Sequence, residues 1–364
     1  MTSKIWLFTK PSTTDMLKVS SSPHICTTES IPRIMLGVII ALAPAVVGAV
    51  YFFGCHALAL IFLCVASSVG AEYLCRKIRG APVTVSDYSA VVTGILLAFN
   101  LPSNAPWWMA VAGGVFAVVV VKELFGGLGY NIWNPALAAR AFLLASWPTS
   151  MISSTDFPPP RHGSLSGLSL DSITQATPLQ LIKNTLAPIF SDPAAFSAEQ
   201  LAAARQALEN MAGADYYTAL FWGKVGGVMG ETSAALLIIG GIFLLVKGYI
   251  DWRVPAGYLG SVALLAWMFA GPEGYFTGNV LFHLLSGGLI LGAFFMATDM
   301  VTTPVTPKGK WIFAVGCGIL TMIIRLKGGY PEGVSYAILL MNTATPLIDS
   351  YTRPAMYGRK KNRA

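Results

Sequence analysis

The sequence predicts an all-α polytopic membrane protein, with about ten transmembrane helices forming two inverted five-helix repeats around a long loop. Three observations carry this. Only 11% of the 364 residues are charged while 54% are hydrophobic, whereas a soluble domain carries roughly a quarter charged residues. The mean hydropathy is +0.62, and the apolar residues come in blocks, so lipid is the main solvent. Lys and Arg gather in alternate connections between those blocks, as expected when one side of the membrane retains the positive charge.

In chain order, residues 1–30 are polar and carry Lys4, Lys10 and Lys18 ahead of the first apolar block, without a cleavable signal pattern, which places them in the cytoplasm. Blocks at Ile31–Phe53, Cys55–Cys75, Tyr88–Leu101, Trp107–Val121 and Ile132–Trp147 make a first five-span repeat over 31–147. Residues 148–231 form a long polar loop, Pro148 to Asp215, and a re-entrant segment. Blocks at Thr232–Val246, Val254–Phe269, Leu281–Ala297, Trp311–Ile324 and Val334–Ile348 make a second repeat over 232–348, followed by a basic tail over 349–364. Several blocks are shorter than the roughly 20 residues of a straight spanning helix. Gly/Pro segments beside them are therefore expected to enter the membrane under protein cover.

With the N-terminus inside, only Arg161, Lys183, Arg205, Lys224, Arg325 and Lys327 face outward and Arg140 falls within a span; the other Lys and Arg lie inside. Both termini are thus cytoplasmic and the loop is extracytoplasmic. The stretch Gly94–Pro102 is similar in character to Gly292–Met300, and Lys122 with Gly126-Gly127 parallels Arg325 with Gly328-Gly329. Two halves with an odd number of spans enter from opposite sides, which gives an inverted repeat with sites near the midplane.

The net charge of +7 is spread over short loops rather than basic patches, which argues against nucleic-acid binding. Cys26, Cys55, Cys64, Cys75 and Cys317 form no CxxC pair, and His24, His56, His162 and His283 are not locally paired. No metal site is expected from this chain alone.

A connection of this length carries function or structure of its own. A loop helix over Pro193–Met211 is expected, with Asp192 as cap and Gly213 as stop, and Glu199, Arg205 and Glu209 wetting one face. A second begins at Thr177-Pro178-Leu179-Gln180, a capping box with Thr at the N-cap, Pro at the first turn and Gln three residues on. A helix N-terminus stabilises phosphate. On spacing alone, Thr177 is an ordinary capping threonine.

The stretch Asp171-Ser172-Ile173-Thr174-Gln175-Ala176-Thr177 resembles the flavinylation motif, close to Asp-x-x-Ser-Gly-Ala-Thr, of two related families. These are the D subunits of Rnf ferredoxin:NAD oxidoreductase complexes and the B subunits of sodium-pumping NADH:quinone reductases. Asp171, Ala176 and Thr177 match; Thr174 stands in place of Ser, and Gln175 in place of Gly. Asn131–Ala136, Gly230–Ala234, Met296–Asp299 with Pro304–Gly309, and Gly329–Gly333 are similar to shared segments, so the resemblance covers nearly the whole chain. The ending Thr345–Asp349 with Tyr351–Pro354, and the length, favour the D subunits.

The resemblance implies FMN joined through its phosphate to Thr177 by a flavin transferase, with Asp171, Thr174 and Ala176 as the recognition motif. It leaves room for a non-covalent riboflavin among the spans, to which no residue is assigned. The implied role is that of an electron-transfer subunit, inactive alone, in a prokaryotic cytoplasmic (inner) membrane complex that moves Na⁺ or H⁺. Its partners would be flavin and iron–sulfur subunits and the lipid bilayer. A B-type subunit, or an inverted-repeat transporter without redox chemistry, are the rival readings.

A charge deep in a span is functional by default. Asp87, Glu123 and Glu231 lie near block ends, where snorkelling or capping explains them. Asp299 and Glu332 lie at Gly/Pro breaks; with unwound carbonyls they would suit an ion path, or else act as structural charges. Arg140 is expected to pair with one of these acids or with a flavin.

Overall fold

A computed structural model describes residues 29–152, 177–180, 182–183, 206, 211, 213–223, 225, 227–231, 233–271, 275–330 and 332–354. The chain divides into two units, Met1–Ser30 and Ile31–Ala364; the elements below belong to the second. Asp171, Thr174, Ala176, most of the expected helix over 193–211 and the end of the basic tail lie outside the described residues.

The described chain is helical, with an isolated bridge between Pro102 and Val228 and no strand among the described residues. Helices α1 (Ile31–Phe53) and α2 (Cys55–Ile78) come first, joined at Gly54. Then follow α3 (Ser89–Phe99), α4 (Trp107–Phe116), which runs on as a π-helical stretch Ala117–Glu123, α5 (Pro135–Ser146) and the short α6 (Pro148–Ile152). The loop contributes α7 (Pro178–Gln180) and α8 (Ala214–Trp222), then a 3₁₀ turn, Met229–Glu231. Beyond it lie α9 (Ala234–Val246), α10 (Arg253–Phe269), α11 (Val280–Leu285) and α12 (Leu289–Leu291), which continues as a π-helical stretch Gly292–Met296. The last two are α13 (Pro307–Lys327) and α14 (Val334–Thr352).

Helices α1, α2 and α13 are each long and apolar enough to cross a membrane, with mean hydropathies of 2.4, 1.9 and 1.5. Helices α3, α5 and α9 are apolar but shorter. At about 1.5 Å per residue, α3 covers little more than half of a hydrocarbon core roughly 30 Å thick. Together these elements make a polytopic membrane protein.

Short helices with buried ends need partners for their free N–H groups, and side chains supply them. Asn134 accepts from Ala136 and Leu137 at the start of α5, Ser233 from Leu236 on α9, Asn279 from Phe282 on α11 and Thr306 from Gly309 on α13. The apolar block Leu281–Ala297 is not one helix: it breaks at Ser286–Gly288, where Gly287 takes φ 73°. Leu and Ile on both sides of the break hide it from hydropathy.

Helix α1 packs on α9, α2 on α3 and α4, α10 on α13, and α5 on α14. Two of these contacts depend on bare backbone. A Cβ on Gly94 of α3 would lie 2.6 Å from the Val65 Cα of α2, and one on Gly240 of α9 would lie 2.1 Å from the Ala41 carbonyl oxygen of α1. Close approach at small residues supplies van der Waals attraction that lipid does not compete with.

Candidate functional site

Thr177 does what its spacing predicts. Its Oγ1 accepts a hydrogen bond from the Gln180 backbone N–H at 3.3 Å, and Gln180 Oε1 accepts from the Thr177 N–H at 3.2 Å. The residue is only 3% exposed. Rather than standing on a wet loop surface, it forms part of the wall of a small cleft of about 40 Å³. Arg140, Glu332, Asn100, Ser335, Tyr330 and Tyr336 line the same cleft.

Arg140, on α5, forms an ion pair with Glu332. It also donates to Asn100 Oδ1 at 2.9 Å and Ser335 Oγ at 3.0 Å. Its partners come from α3 and from the start of α14, so this guanidinium ties together segments nearly 200 residues apart. Tyr330 and Tyr336 stack with centroids 5.1 Å apart. Lys183, in the turn after α7, donates to the carbonyls of Ile324 at 3.1 Å and Tyr330 at 2.8 Å. It holds the threonine segment against the end of α13.

Glu231 does not snorkel or cap. The 3₁₀ turn carrying it folds inward, with Met229 N–H on Leu101 O at 3.3 Å, and Gly230 presses on Phe99, where a Cβ would come within 2.6 Å of the carbonyl oxygen. The Glu231 and Glu332 side chains converge at the helix break, where a Cβ on Gly288 would lie 3.8 Å from Glu231 Oε1 and one on Gly287 3.8 Å from Glu332 Cγ. On the far side of this group, Arg325 donates to the carbonyls of His283 at 2.6 Å, Ser286 at 3.1 Å and Glu332 at 3.1 Å.

Asp299 is not brought to this cleft. Its carboxylate accepts from the Val301 N–H at 3.4 Å and from Thr302 Oγ1 at 3.3 Å, closing the turn after the second π-helical stretch. It lines a separate cavity of about 90 Å³ with Lys122, Asn131, Asn134, Ser89, Thr93 and Thr298. Asn131 Oδ1 is buried there without a hydrogen-bond partner.

Beside that cavity lies an ion pair that the sequence reading passed over. Lys122 Nζ donates to Glu72 Oε1 at 3.0 Å and Ser89 Oγ at 2.6 Å, with both charged side chains at most 2% exposed. Glu72 interrupts the apolar block Cys55–Cys75, and that interruption was the available signal. Glu123, read as an end-of-span charge, is buried and accepts from Arg76 at 3.0 Å and Arg79 at 3.2 Å. Asp87 does cap, accepting from the Ser89 N–H at 2.8 Å.

Residues 18–358 match the NQR2, RnfD, RnfE family. The chain belongs to that family. It is 50% identical over 345 residues to the D subunit of the Na⁺-translocating ferredoxin:NAD⁺ oxidoreductase complex of Acetobacterium woodii, covering 95% of this chain and 96% of that one. It is 44% identical over 348 residues to the D subunit of the proton-translocating ferredoxin:NAD⁺ oxidoreductase complex of Clostridium ljungdahlii, covering 95% and 98%. It is 41% identical over 343 residues to the D subunit of an ion-translocating oxidoreductase complex of Stutzerimonas stutzeri, covering 91% and 93%. This family carries the resemblance read from the motifs, and the Thr177 cleft is its candidate site in this chain.

Proposed function

We propose that this chain is the D-type electron-transfer subunit of an ion-translocating ferredoxin:NAD⁺ oxidoreductase complex, with FMN esterified through its phosphate to Thr177. The observation that carries the reading is the shared cleft: the hydroxyl of the motif threonine opens beside a buried arginine and a stacked tyrosine pair. The residues suit the group. Arg140 and the Leu179 N–H would hold its phosphate or a reduced ring, and Tyr330 and Tyr336 offer a flat aromatic face. A bound flavin passes one or two electrons; the chain positions it and sets the charge around it. Arg140 is fixed by Asn100, Ser335 and Glu332, so it provides positive charge without reorganising.

The subunit reading is supported by relatives of 50% and 44% identity that are named as D subunits. Partners would be the flavin and iron–sulfur subunits of that complex, and a flavin transferase acting on Asp171, Thr174, Ala176 and Thr177. The membrane would be a prokaryotic inner membrane, with both termini cytoplasmic and the loop outside, as the Lys/Arg distribution favours. Ten segments in two inverted repeats agree with the reciprocal packing of α1 on α9 and α5 on α14.

The test is ultraviolet fluorescence of the denatured chain from cells that also make the flavin transferase. The native chain glows and Thr177→Ala does not. A dark native band removes the flavin and leaves the transporter reading, and a glowing Thr177→Ala band refutes the assignment to Thr177.

A further inference from the structure

Four ionisable side chains from four segments meet beside the Thr177 cleft: Arg140 of α5, Arg325 of α13, Glu332 ahead of α14 and Glu231 of the 3₁₀ turn. Glu231 and Glu332 converge on the same break, with Glu332 Cγ 3.8 Å from a Cβ on Gly287 and Glu231 Oε1 3.8 Å from one on Gly288, and two carboxyls sharing a buried site do not both ionise, so one of them holds a proton. Glu332 has the Arg140 guanidinium on its Oε2 and is the ionised member. Glu231 makes no ion pair among the described residues, so it is the proton carrier. Its Oε1 is buried without a hydrogen-bond partner and faces the helix break, where a Cβ on Gly288 would lie 3.8 Å away.

A break of this kind is where membrane folds place a metal cation on unwound carbonyls. Here the guanidinium of Arg325 already holds the carbonyls of His283 and Ser286. A sodium ion would have to displace a resident cation, whereas a proton needs only the free carboxyl. We propose that Glu231 and Glu332 form a binding site for one exchangeable proton, and that its occupancy follows the charge held in the Thr177 cleft. The second half rests on the reading of that cleft as a redox site.

The balance is simple. An electron delivered by a one-electron carrier of a partner subunit adds one negative charge to the cleft. One proton from water joins a carboxylate oxygen of Glu231, and it leaves when the electron does. The groups facing the pair are Arg140 and Arg325, with the His283 carbonyl of α11 on Arg325 and the phenols of Tyr330 and Tyr336 in the same cleft as Arg140 and Glu332. The two guanidiniums favour ionised carboxyls and burial favours the protonated form, so one added negative charge decides between them.

The experiment is infrared difference spectroscopy of the purified complex, induced once by a pH step and once by reduction, with flavin potentials measured across pH. The expected results are a protonated-carboxyl band, shifted in D₂O, that Glu231→Gln abolishes, and a potential whose dependence of up to one proton per electron flattens in the same variant. Glu231→Asp should keep the band and move the pH window, and it stands in should Glu231→Gln misfold. Persistence of band and slope in Glu231→Gln overturns the proposal, as does a band or potential that moves with Na⁺ at fixed pH. Loss of the pH-induced band in Glu231→Gln, in a complex whose Thr177 carries no flavin, keeps the proton site and refutes the cleft reading instead.

Discussion

At the scale of single residues, the charges set the cleft and define what substitution does to it. Arg140 and Glu332 are 11% and 12% exposed, so removing one strands the other in a low-dielectric site. Arg140→Met is expected to cost about 3–5 kcal/mol. Combining it with Glu332→Leu should recover most of that loss, as read by thermal unfolding in detergent; an additive double variant would mean that the two charges do not depend on each other. The capping box was legible because its signal is local: Thr177, Pro178 and Gln180 lie within four residues, and the bonds they predict are formed. The burial of Thr177 was not, since the cleft wall comes from residues far away in the chain on either side, such as Asn100 and Tyr336. The meetings of Glu72 with Lys122 and of Glu231 with Glu332 were hidden for the same reason: each spans 50 or more positions, and no local pattern encodes them. Arg140 announced itself as a lone charge in an apolar block, which was enough to predict a partner but not which one.

At the scale of helices, hydropathy located the segments and missed how they are interrupted. The blocks at Ile31–Phe53 and Val254–Phe269 became helices with nearly those bounds. The block Leu281–Ala297 became α11, a glycine break and α12, because a break changes backbone angles without changing side-chain polarity. Packing at bare backbone makes a sharp prediction. Gly240→Val drives a side chain into the Ala41 carbonyl and should cost about 3 kcal/mol, the upper end for overpacking. Gly260→Ala meets nothing within 4 Å and should be neutral or stabilise by up to about 1 kcal/mol; equal melting temperatures for the two variants would refute this account of the α1–α9 contact. The turn between α9 and α10 adds a pH dependence. Burial alone would raise the Asp251 carboxyl, but hydrogen bonds from the Arg253 N–H and Lys310, with both cations nearby, hold it below the usual value. A depressed carboxyl stabilises above its unfolded value of about 3.9 and loses that contribution as pH falls through the folded value. Asp251→Asn should therefore lower stability at pH 7 by roughly 0.2–1 kcal/mol, modest because the group is partly exposed. Native and variant melting curves should converge in acid, and a gap that widens there would contradict the assignment.

At the scale of the whole molecule, membership of the NQR2, RnfD, RnfE family and a mostly helical, lipid-suited chain place one cleft between the two halves of the sequence. Arg140 reaches it from the first half, Glu332 from the second and Thr177 from the loop. The proposed topology predicts that a cysteine introduced in residues 153–176, in a chain without its five native cysteines, reacts with an impermeant maleimide from outside intact cells. One in residues 355–364 should react only after lysis, and the reverse pattern would put the loop in the cytoplasm and end the electron-carrier reading. The central claim is the phosphoester on Thr177. Intact-mass analysis with peptide mapping of the complex, purified from cells with their own flavin transferase, tests it most directly. The predicted result is one FMN adduct per chain, confined to the peptide containing Thr177 and absent from Thr177→Ala. An unmodified peptide at full occupancy, or an adduct on another residue, would contradict it.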